Sequence, residues 1–121
     1  MEVLLDSNFI ISCLKRKIDF ISELEQQGFK VMLPREVFQE LKDLKFKVSH
    51  EERTLIDLAI TLFESAKVKK TTLGSISVDA GLIDKGKKGF YIATLDAAIK
   101  RNVPNRVAIS NSANSIIVER D

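Results

Sequence analysis

The sequence predicts an α/β fold of three layers, in which a mostly parallel sheet of roughly five strands lies between helices. Two observations lead to this prediction. Short apolar runs alternate along the chain with segments whose apolar residues recur at helical spacing. The apolar runs are nearly continuous, which is typical of strands that are buried on both faces of a parallel sheet.

The predicted strands end at polar or turn-forming residues. The first run, Val3-Leu4-Leu5, is closed by Asp6, and the second, over residues 30–33, stops at Pro34. Three more strands are expected over residues 68–73, 89–94 and 106–109, and residues 115–118 form either a sixth strand or a tail. Because strands and helices alternate, neighbouring strands are expected to run parallel.

The predicted helices begin at capping residues and carry apolar residues three or four positions apart. Residues 49–66 are the clearest case, because Ser49 and Glu52 form a capping box ahead of an apolar stripe. A short helix over residues 79–85 is expected to end at Gly86. The remaining helices are expected over residues 7–17, 35–47 and 96–102, and from Asp19 to a C-cap at Gly28.

Composition limits the class of protein. A chain of 121 residues is expected to form one domain, over residues 1–121, and 45% apolar with 30% charged residues is ordinary for a soluble globular protein. The net charge of +2 gives no strong indication of a polyanionic partner. Cys13 is the only cysteine, which excludes an intramolecular disulfide and a cysteine-based zinc site. Without a signal-like or membrane-spanning apolar stretch, we expect a cytoplasmic protein with no membrane partner.

Three aspartates follow predicted strands. Asp6 lies at the carboxyl end of the first strand, Asp96 just beyond the fourth, and Asp79 in the connection after the third. Ligand sites of open α/β sheets lie beyond the carboxyl ends of the strands, so we expect the three carboxylates along one edge. Each also begins a helix, and taken singly each is better explained as an N-cap. Together they would repel one another unless a cation or protons intervened.

Glu40 is a fourth acid that helical geometry directs toward the same edge. The apolar stripe of its helix consists of Val37, Leu41, Leu44 and Val48. Glu40 lies roughly 60° around the helix from Val37, on the margin of that stripe and half turned toward the core. An exposed glutamate paired with a lysine is the alternative. The four acids together form a plausible oxygen-only site for Mg²⁺ or Mn²⁺.

Four short segments surround these acids and carry a family resemblance. They are Leu4-Leu5-Asp6-Ser7-Asn8-Phe9-Ile10, Pro34-Arg35-Glu36-Val37-Phe38-Gln39-Glu40-Leu41, Ser77-Val78-Asp79-Ala80-Gly81-Leu82-Ile83 and Ala93-Thr94-Leu95-Asp96. In order and spacing they resemble the four motifs of PIN-domain ribonucleases, over essentially the whole chain. The chain departs from the family at Ala97 and Ala98, where many relatives carry further polar residues.

The resemblance implies an endoribonuclease that depends on Mg²⁺ or Mn²⁺. Its metal-binding and catalytic acids would be Asp6, Glu40, Asp79 and Asp96, and its products would carry 5′-phosphate and 3′-hydroxyl ends. Asn8 and Thr94 match polar positions that help to hold the site. Arg35 begins the helix of Glu40 on the expected acidic edge, and is therefore a candidate for contacting RNA.

Several alternatives remain open at this stage. Two branches of the family fit the length, and the direct run from the third strand to Asp79 favours the archaeal type that processes ribosomal RNA precursors. The other branch is the toxin of a toxin–antitoxin pair, whose partner would be an antitoxin. A homodimer is expected only from the resemblance, and a PIN-like module that binds RNA or protein without cutting is the non-enzymatic alternative. The basic stretch Lys85-Gly86-Lys87-Lys88 belongs on the opposite edge of the sheet, where it is better explained as a solvated turn.

Overall fold

Six strands and six helices make up the described part of the chain. The computed structural model describes residues 1–65, 68–75 and 77–121. In chain order the elements are β1 (Glu2–Leu5), α1 (Ser7–Lys15), α2 (Phe20–Gln26), β2 (Lys30–Pro34), α3 (Arg35–Leu44), α4 (His50–Ser65), β3 (Lys69–Thr71), α5 (Val78–Lys87), β4 (Tyr91–Ala93), α6 (Ala97–Asn102), β5 (Asn105–Ser110) and β6 (Ser115–Arg120).

The strands form one sheet in the order β3-β2-β1-β4-β5-β6. The first five strands are parallel, and only β6 pairs antiparallel with its neighbour β5. The prediction of a mostly parallel sheet is confirmed, with six strands in place of roughly five. Residues 115–118 are therefore part of a strand and not a tail, because every residue from Ser115 to Arg120 is in register with β5.

Helices cover the two faces of the sheet, which confirms the three-layer α/β/α arrangement. Alternate residues of the strands point to opposite faces. On one face, Val3 and Leu5 pack with apolar residues of α1, α2, α3 and α4. On the other face, Leu4 and Ile92 pack with apolar residues of α5 and α6. Every strand residue in these two clusters is buried, as the continuous apolar runs in the sequence predict.

Most helix ends lie within a few residues of their predicted positions. Asp19 and Ser49 accept hydrogen bonds from the backbone N–H groups of Ser22 and Glu52, so both caps are confirmed. Helix α1 ends at Lys15, two residues early, since Lys17 has a left-handed backbone with φ of 57°. The predicted end of α4, at residue 66, lies outside the described residues.

The prediction that Gly86 ends a helix is wrong. Helix α5 continues to Lys87, and Gly86 is a buried residue inside it. A Cβ atom at this position would clash with Cγ1 of Val103, at the end of α6. Glycine is required here for the close approach of α5 to α6, and not for a left-handed cap.

The chain reverses its direction of travel across the sheet between β1 and β4. From β1 it proceeds outward through β2 to β3, and then returns to add β4, β5 and β6 on the other side. In open parallel sheets, a crevice for ligands forms at such a switch point, beyond the carboxyl ends of the two central strands. Asp6 and Asp96 follow these two strands.

Across the described ranges, no helix is long and apolar enough to span a membrane.

Candidate active site

Asp6 is a buried carboxyl group at the carboxyl end of β1. Its side chain is 4% exposed. Oδ1 accepts a hydrogen bond of 2.9 Å from the backbone N–H of Ser7, and Oδ2 accepts one of 2.7 Å from the hydroxyl of Thr94. Burial raises the pKa of Asp6, the two hydrogen bonds partly offset that effect, and the negative charges of Glu40 and Asp79 raise the pKa further. A carboxylate held here is therefore surrounded by like charge.

Thr94 links the ends of the two central strands. It has no exposed surface, and it follows β4 directly. Its hydroxyl donates to Asp6 and accepts a hydrogen bond of 3.1 Å from the backbone N–H of Asp96. Asn8 supports the same connection, because its Oδ1 accepts a hydrogen bond of 3.1 Å from the backbone N–H of Leu95 and lies 3.5 Å from the Thr94 hydroxyl. Both residues hold the predicted site together.

Ser7 connects Glu40 to Asp6. The hydroxyl of Ser7 donates a hydrogen bond of 2.6 Å to Oε1 of Glu40, while the backbone N–H of the same serine binds Asp6. Glu40 is half-buried on α3, which agrees with its predicted place on the margin of the apolar stripe. Helix α3, which follows β2, packs against α1. This contact brings Glu40 to the end of β1.

Asp96 and Asp79 are held differently. Asp96 is the N-cap of α6, and its Oδ1 accepts hydrogen bonds of 2.8 and 3.1 Å from the backbone N–H groups of Ala98 and Ile99. Asp79 is not a cap, which corrects the prediction that it begins its helix. Ser77 is the N-cap of α5, and Asp79 lies exposed in the first turn. Its charge still acts on Asp6 across the edge.

Solved structures resemble this chain in fold, although no family model matches its sequence. The sequence matches no protein-family model and no curated protein sequence. Among solved structures, one described as the PIN domain endonuclease Utp24 aligns over 99% of this chain and 92% of its own, with a TM-score of 0.75 and 20% identity. The chain has the PIN-domain fold. A second structure, VapBC2 from Rickettsia felis bound to a DNA fragment from their promoter, covers 84% of this chain and 93% of its own, with a TM-score of 0.53 and 14% identity.

The sequence-level resemblance to PIN domains is thereby confirmed at the level of the fold. At these identities the superpositions establish the path of the backbone and not the roles of side chains. Within that PIN fold, Ser7 and Thr94 connect Asp6 to Glu40 and to the backbone of Asp96, and the charge of Asp79 on α5 acts on Asp6.

A ready-made metal site is not present among the residues that the structure describes. In residues 1–65, 68–75 and 77–121, no three Asp, Glu, His or Cys side chains form a group that could hold an ion. The prediction that four acids share one metal site therefore stays a prediction.

The donor set nevertheless fits a hard divalent cation. Carboxylate oxygens are the ligands that Mg²⁺ and Mn²⁺ prefer, and Asp6 is a buried acid next to two like charges. Glu40 uses Oε1 and Asp96 uses Oδ1 in the hydrogen bonds given above, so each has a second oxygen for an ion. A cation at this edge would offset the repulsion that otherwise raises the pKa of Asp6.

Of four further titratable side chains, only one lies at this edge. Arg35 is exposed at the start of α3, next to the carboxyl end of β2, so it is placed on the acidic edge as expected. Cys13 is fully buried, and burial raises the pKa of its thiol to about 12, which agrees with a packing role. His50 is exposed, and Asp84 is paired with Lys88 at 3.1 Å. None of these last residues joins the PIN-fold site.

Sequence reasoning missed the contributions of two residues. The motif around Asp6 includes Ser7, but it does not indicate that the Ser7 hydroxyl binds Glu40. The carboxylate of Glu36 accepts hydrogen bonds of 3.0 to 3.2 Å from the backbone N–H groups of Leu73 and Gly74, which fixes the segment after β3. The polar position directly after Asp6 was the available signal for Ser7, whereas nothing local indicates the partner of Glu36.

Proposed function

We propose that this chain is an endoribonuclease that hydrolyses RNA phosphodiester bonds with the help of Mg²⁺ or Mn²⁺. The observation that carries the proposal is the buried Asp6 carboxyl at the switch point of a PIN fold. A buried acid with two like charges nearby destabilises the fold, and natural proteins keep such arrangements where chemistry needs them.

The reaction is the addition of water across one phosphodiester bond. A bond forms between the oxygen of water and phosphorus, the bond from phosphorus to the 3′ oxygen breaks, and the 3′ oxygen takes up a proton. The products carry 5′-phosphate and 3′-hydroxyl ends, as the resemblance implies. A bound Mg²⁺ or Mn²⁺ ion would supply Lewis acidity and neutralise charge on the phosphate.

The side chains of the site hold fixed positions for this work. Asp6 and Asp96 are the direct ligands in our proposal, and the Thr94 hydroxyl links the carboxylate of Asp6 to the backbone N–H of Asp96. Glu40, oriented by Ser7, and Asp79 complete the group or orient water. Arg35, at the same edge, would contact a phosphate of the substrate.

Precursor ribosomal RNA is the substrate class that we favour. The branch of the family that processes it runs directly from the third strand to the third aspartate. Here only residues 72–77 separate β3 from α5. The better superposition on the endonuclease than on VapBC2 agrees with this choice. We also propose a homodimer, on the resemblance to PIN domains alone.

A toxin ribonuclease that pairs with an antitoxin is the second candidate, supported by the weaker likeness to VapBC2. A small antitoxin gene next to this one would favour the toxin. Cleavage of precursor ribosomal RNA at a single position would favour processing.

The test compares wild type with Asp6→Asn on a structured RNA, with Mn²⁺ and with EDTA. Asp84→Asn is the matched control, because Asp84 is an exposed acid of α5 that is paired with Lys88. Wild type and the control are expected to cut only with Mn²⁺, and Asp6→Asn is expected to lose roughly a hundredfold or more in rate. Equal cutting by Asp6→Asn and wild type would identify a contaminating nuclease and contradict the proposal. A lack of cutting by both would favour a PIN-like module that binds without catalysis.

A further inference from the structure

A groove with charged walls lies between α6 and the β5–β6 pair. Its volume is about 400 Å³. The residues that line it are Ala97, Lys100, Arg101, Arg106, Glu119 and Asp121. None of them belongs to the four acids of the proposed active site, and the groove needs a separate explanation.

One wall of the groove is a face of α6. Ala97, Lys100 and Arg101 are spaced three and four residues apart, so they share one side of the helix. The opposite side is buried, since Ile99 is 1% exposed and the following Val103 packs against Gly86 of α5. Packing therefore fixes the rotation of α6 and turns its two basic residues toward the groove.

The other wall is a strand surface whose charges are already paired. Arg106 contacts Glu119 and Asp121 at 3.4 Å each, and donates a hydrogen bond of 3.1 Å to the backbone oxygen of Val103. Arg106 offsets only one of the two carboxylate charges, so the strand wall keeps a net negative charge. Across the described ranges, Lys100 and Arg101 form no ion pair. The two cations of α6 outweigh the remaining negative charge of the strand wall, so the lining is positive overall and its unpaired cations are those of α6.

One end of the groove, at Ala97, lies next to the proposed active site, whereas Arg106 and Asp121 lie toward the amino end of β5. Ala97 directly follows Asp96, the acid that caps α6. From there, the six residues of α6 extend for about 9 Å along the groove, at about 1.5 Å per residue. A chain whose scissile phosphate lies at Asp96 would find the two cations one helical turn away.

We propose that this groove, called the α6 groove below, binds the sugar–phosphate backbone of single-stranded RNA on one side of the cleaved bond. The inference rests on the proposed function, because it takes the acids to be the cleavage site. Cationic side chains along a groove are the usual means of binding a single strand without reading its sequence. A space of about 400 Å³ is that of a small-molecule pocket, and it accepts about one or two nucleotides but no duplex.

The test measures binding in EDTA, so that no cleavage is needed. The probe is a fluorescein-labelled oligouridylate of about 12 nucleotides, and the protein is wild type or the double variant Lys100→Gln with Arg101→Gln. Each lysine or arginine that contacts a phosphate of single-stranded RNA contributes about 0.7 to the steepness with which log affinity falls against log salt concentration. The double variant should lose about 1.4 from that slope, which is about a 25-fold weaker affinity at 0.1 M salt. Thermal unfolding of both proteins checks that α6 is intact.

The matched control is Lys85→Gln with Lys87→Gln. These two cations occupy the last turn of α5, as Lys100 and Arg101 occupy the last turn of α6, and the change in net charge is the same. They do not line the groove. The control should bind like wild type. An equal loss in both double variants, or no loss in the α6 variant, would overturn the proposal.

This result is distinguishable from a failure of the proposed function. If the α6 variant alone loses affinity while no variant cuts RNA, the groove stands and the nuclease claim fails. If Asp6-dependent cutting is observed while the α6 variant binds like wild type, the nuclease claim stands and the groove is not the path of the RNA.

Discussion

The Thr94 hydroxyl is buried, and it both donates and accepts a hydrogen bond. It donates to the carboxylate of Asp6 and accepts from the backbone of Asp96. A buried polar group that loses its partner costs about 1 to 3 kcal/mol, because no water replaces the lost bond. Valine has the shape of threonine but can neither donate nor accept a hydrogen bond. Serine keeps the hydroxyl and can do both.

Thr94→Val is therefore expected to lower the free energy of unfolding by about 1 to 3 kcal/mol. The Mn²⁺-dependent cleavage rate should fall as well, because the variant leaves Asp6 and Asp96 without their common partner. Urea unfolding and a single-turnover cleavage assay measure the two effects. Thr94→Ser should restore most of both. A Thr94→Val variant as stable and as active as Thr94→Ser would show that the hydroxyl does not hold the site.

At the scale of elements, Glu36 fastens the connection after β3 to the start of α3. Its carboxylate accepts hydrogen bonds from the backbone N–H groups of Leu73 and Gly74. Desolvation acts to raise the pKa of Glu36, but backbone hydrogen bonds from Glu36, Leu73 and Gly74 outweigh it and leave the pKa below its ordinary value of 4.5. The same connection leads to α5 and hence to Asp79.

Glu36→Gln is expected to lower the free energy of unfolding by about 1 kcal/mol at neutral pH. Because the pKa is lower in the folded state, the carboxylate stabilises the fold above its unfolded pKa. That contribution is lost as pH falls through the folded-state pKa. Urea unfolding at neutral pH and well below 4.5 measures the difference between variant and wild type, which should shrink in acid.

Glu64→Gln is the control for this prediction, since Glu64 is an exposed residue of α4. It should match wild type at both pH values. A difference between Glu36→Gln and wild type that stays constant with pH would mean that the charge of Glu36 is not what holds the connection.

Gly86 illustrates where element-scale reasoning from the sequence stops. A glycine after a short amphipathic run is the usual signal for a helix end, and that signal predicted the wrong boundary. The deciding contact is with Val103, seventeen positions later, in an element whose placement the local sequence does not reveal. Asp79 gives a second case, because Ser77 and Asp79 are both good caps and only the fold selects Ser77.

At the scale of the whole molecule, the alternation of strands and helices was sufficient to predict the layers of the fold. The positions of Asp6 and Asp96 follow from a general rule of parallel sheets, so local patterns could find them. The order of the strands could not be found in this way, because all the buried strands carry similar apolar runs. The bond from Ser7 to Glu40 depends on how α1 packs against α3, which is again a property of the assembled fold.

The central claim is that this fold brings four carboxylates to one cation. Crystals soaked in Mn²⁺ test it most directly, through an anomalous difference map collected near the manganese absorption edge. We expect a peak at the carboxyl edge of the sheet, bound by oxygens of Asp6 and Asp96, with Glu40 and Asp79 around it. A map with no peak at that edge, or with manganese bound only by other residues while these acids keep their present partners, would contradict it.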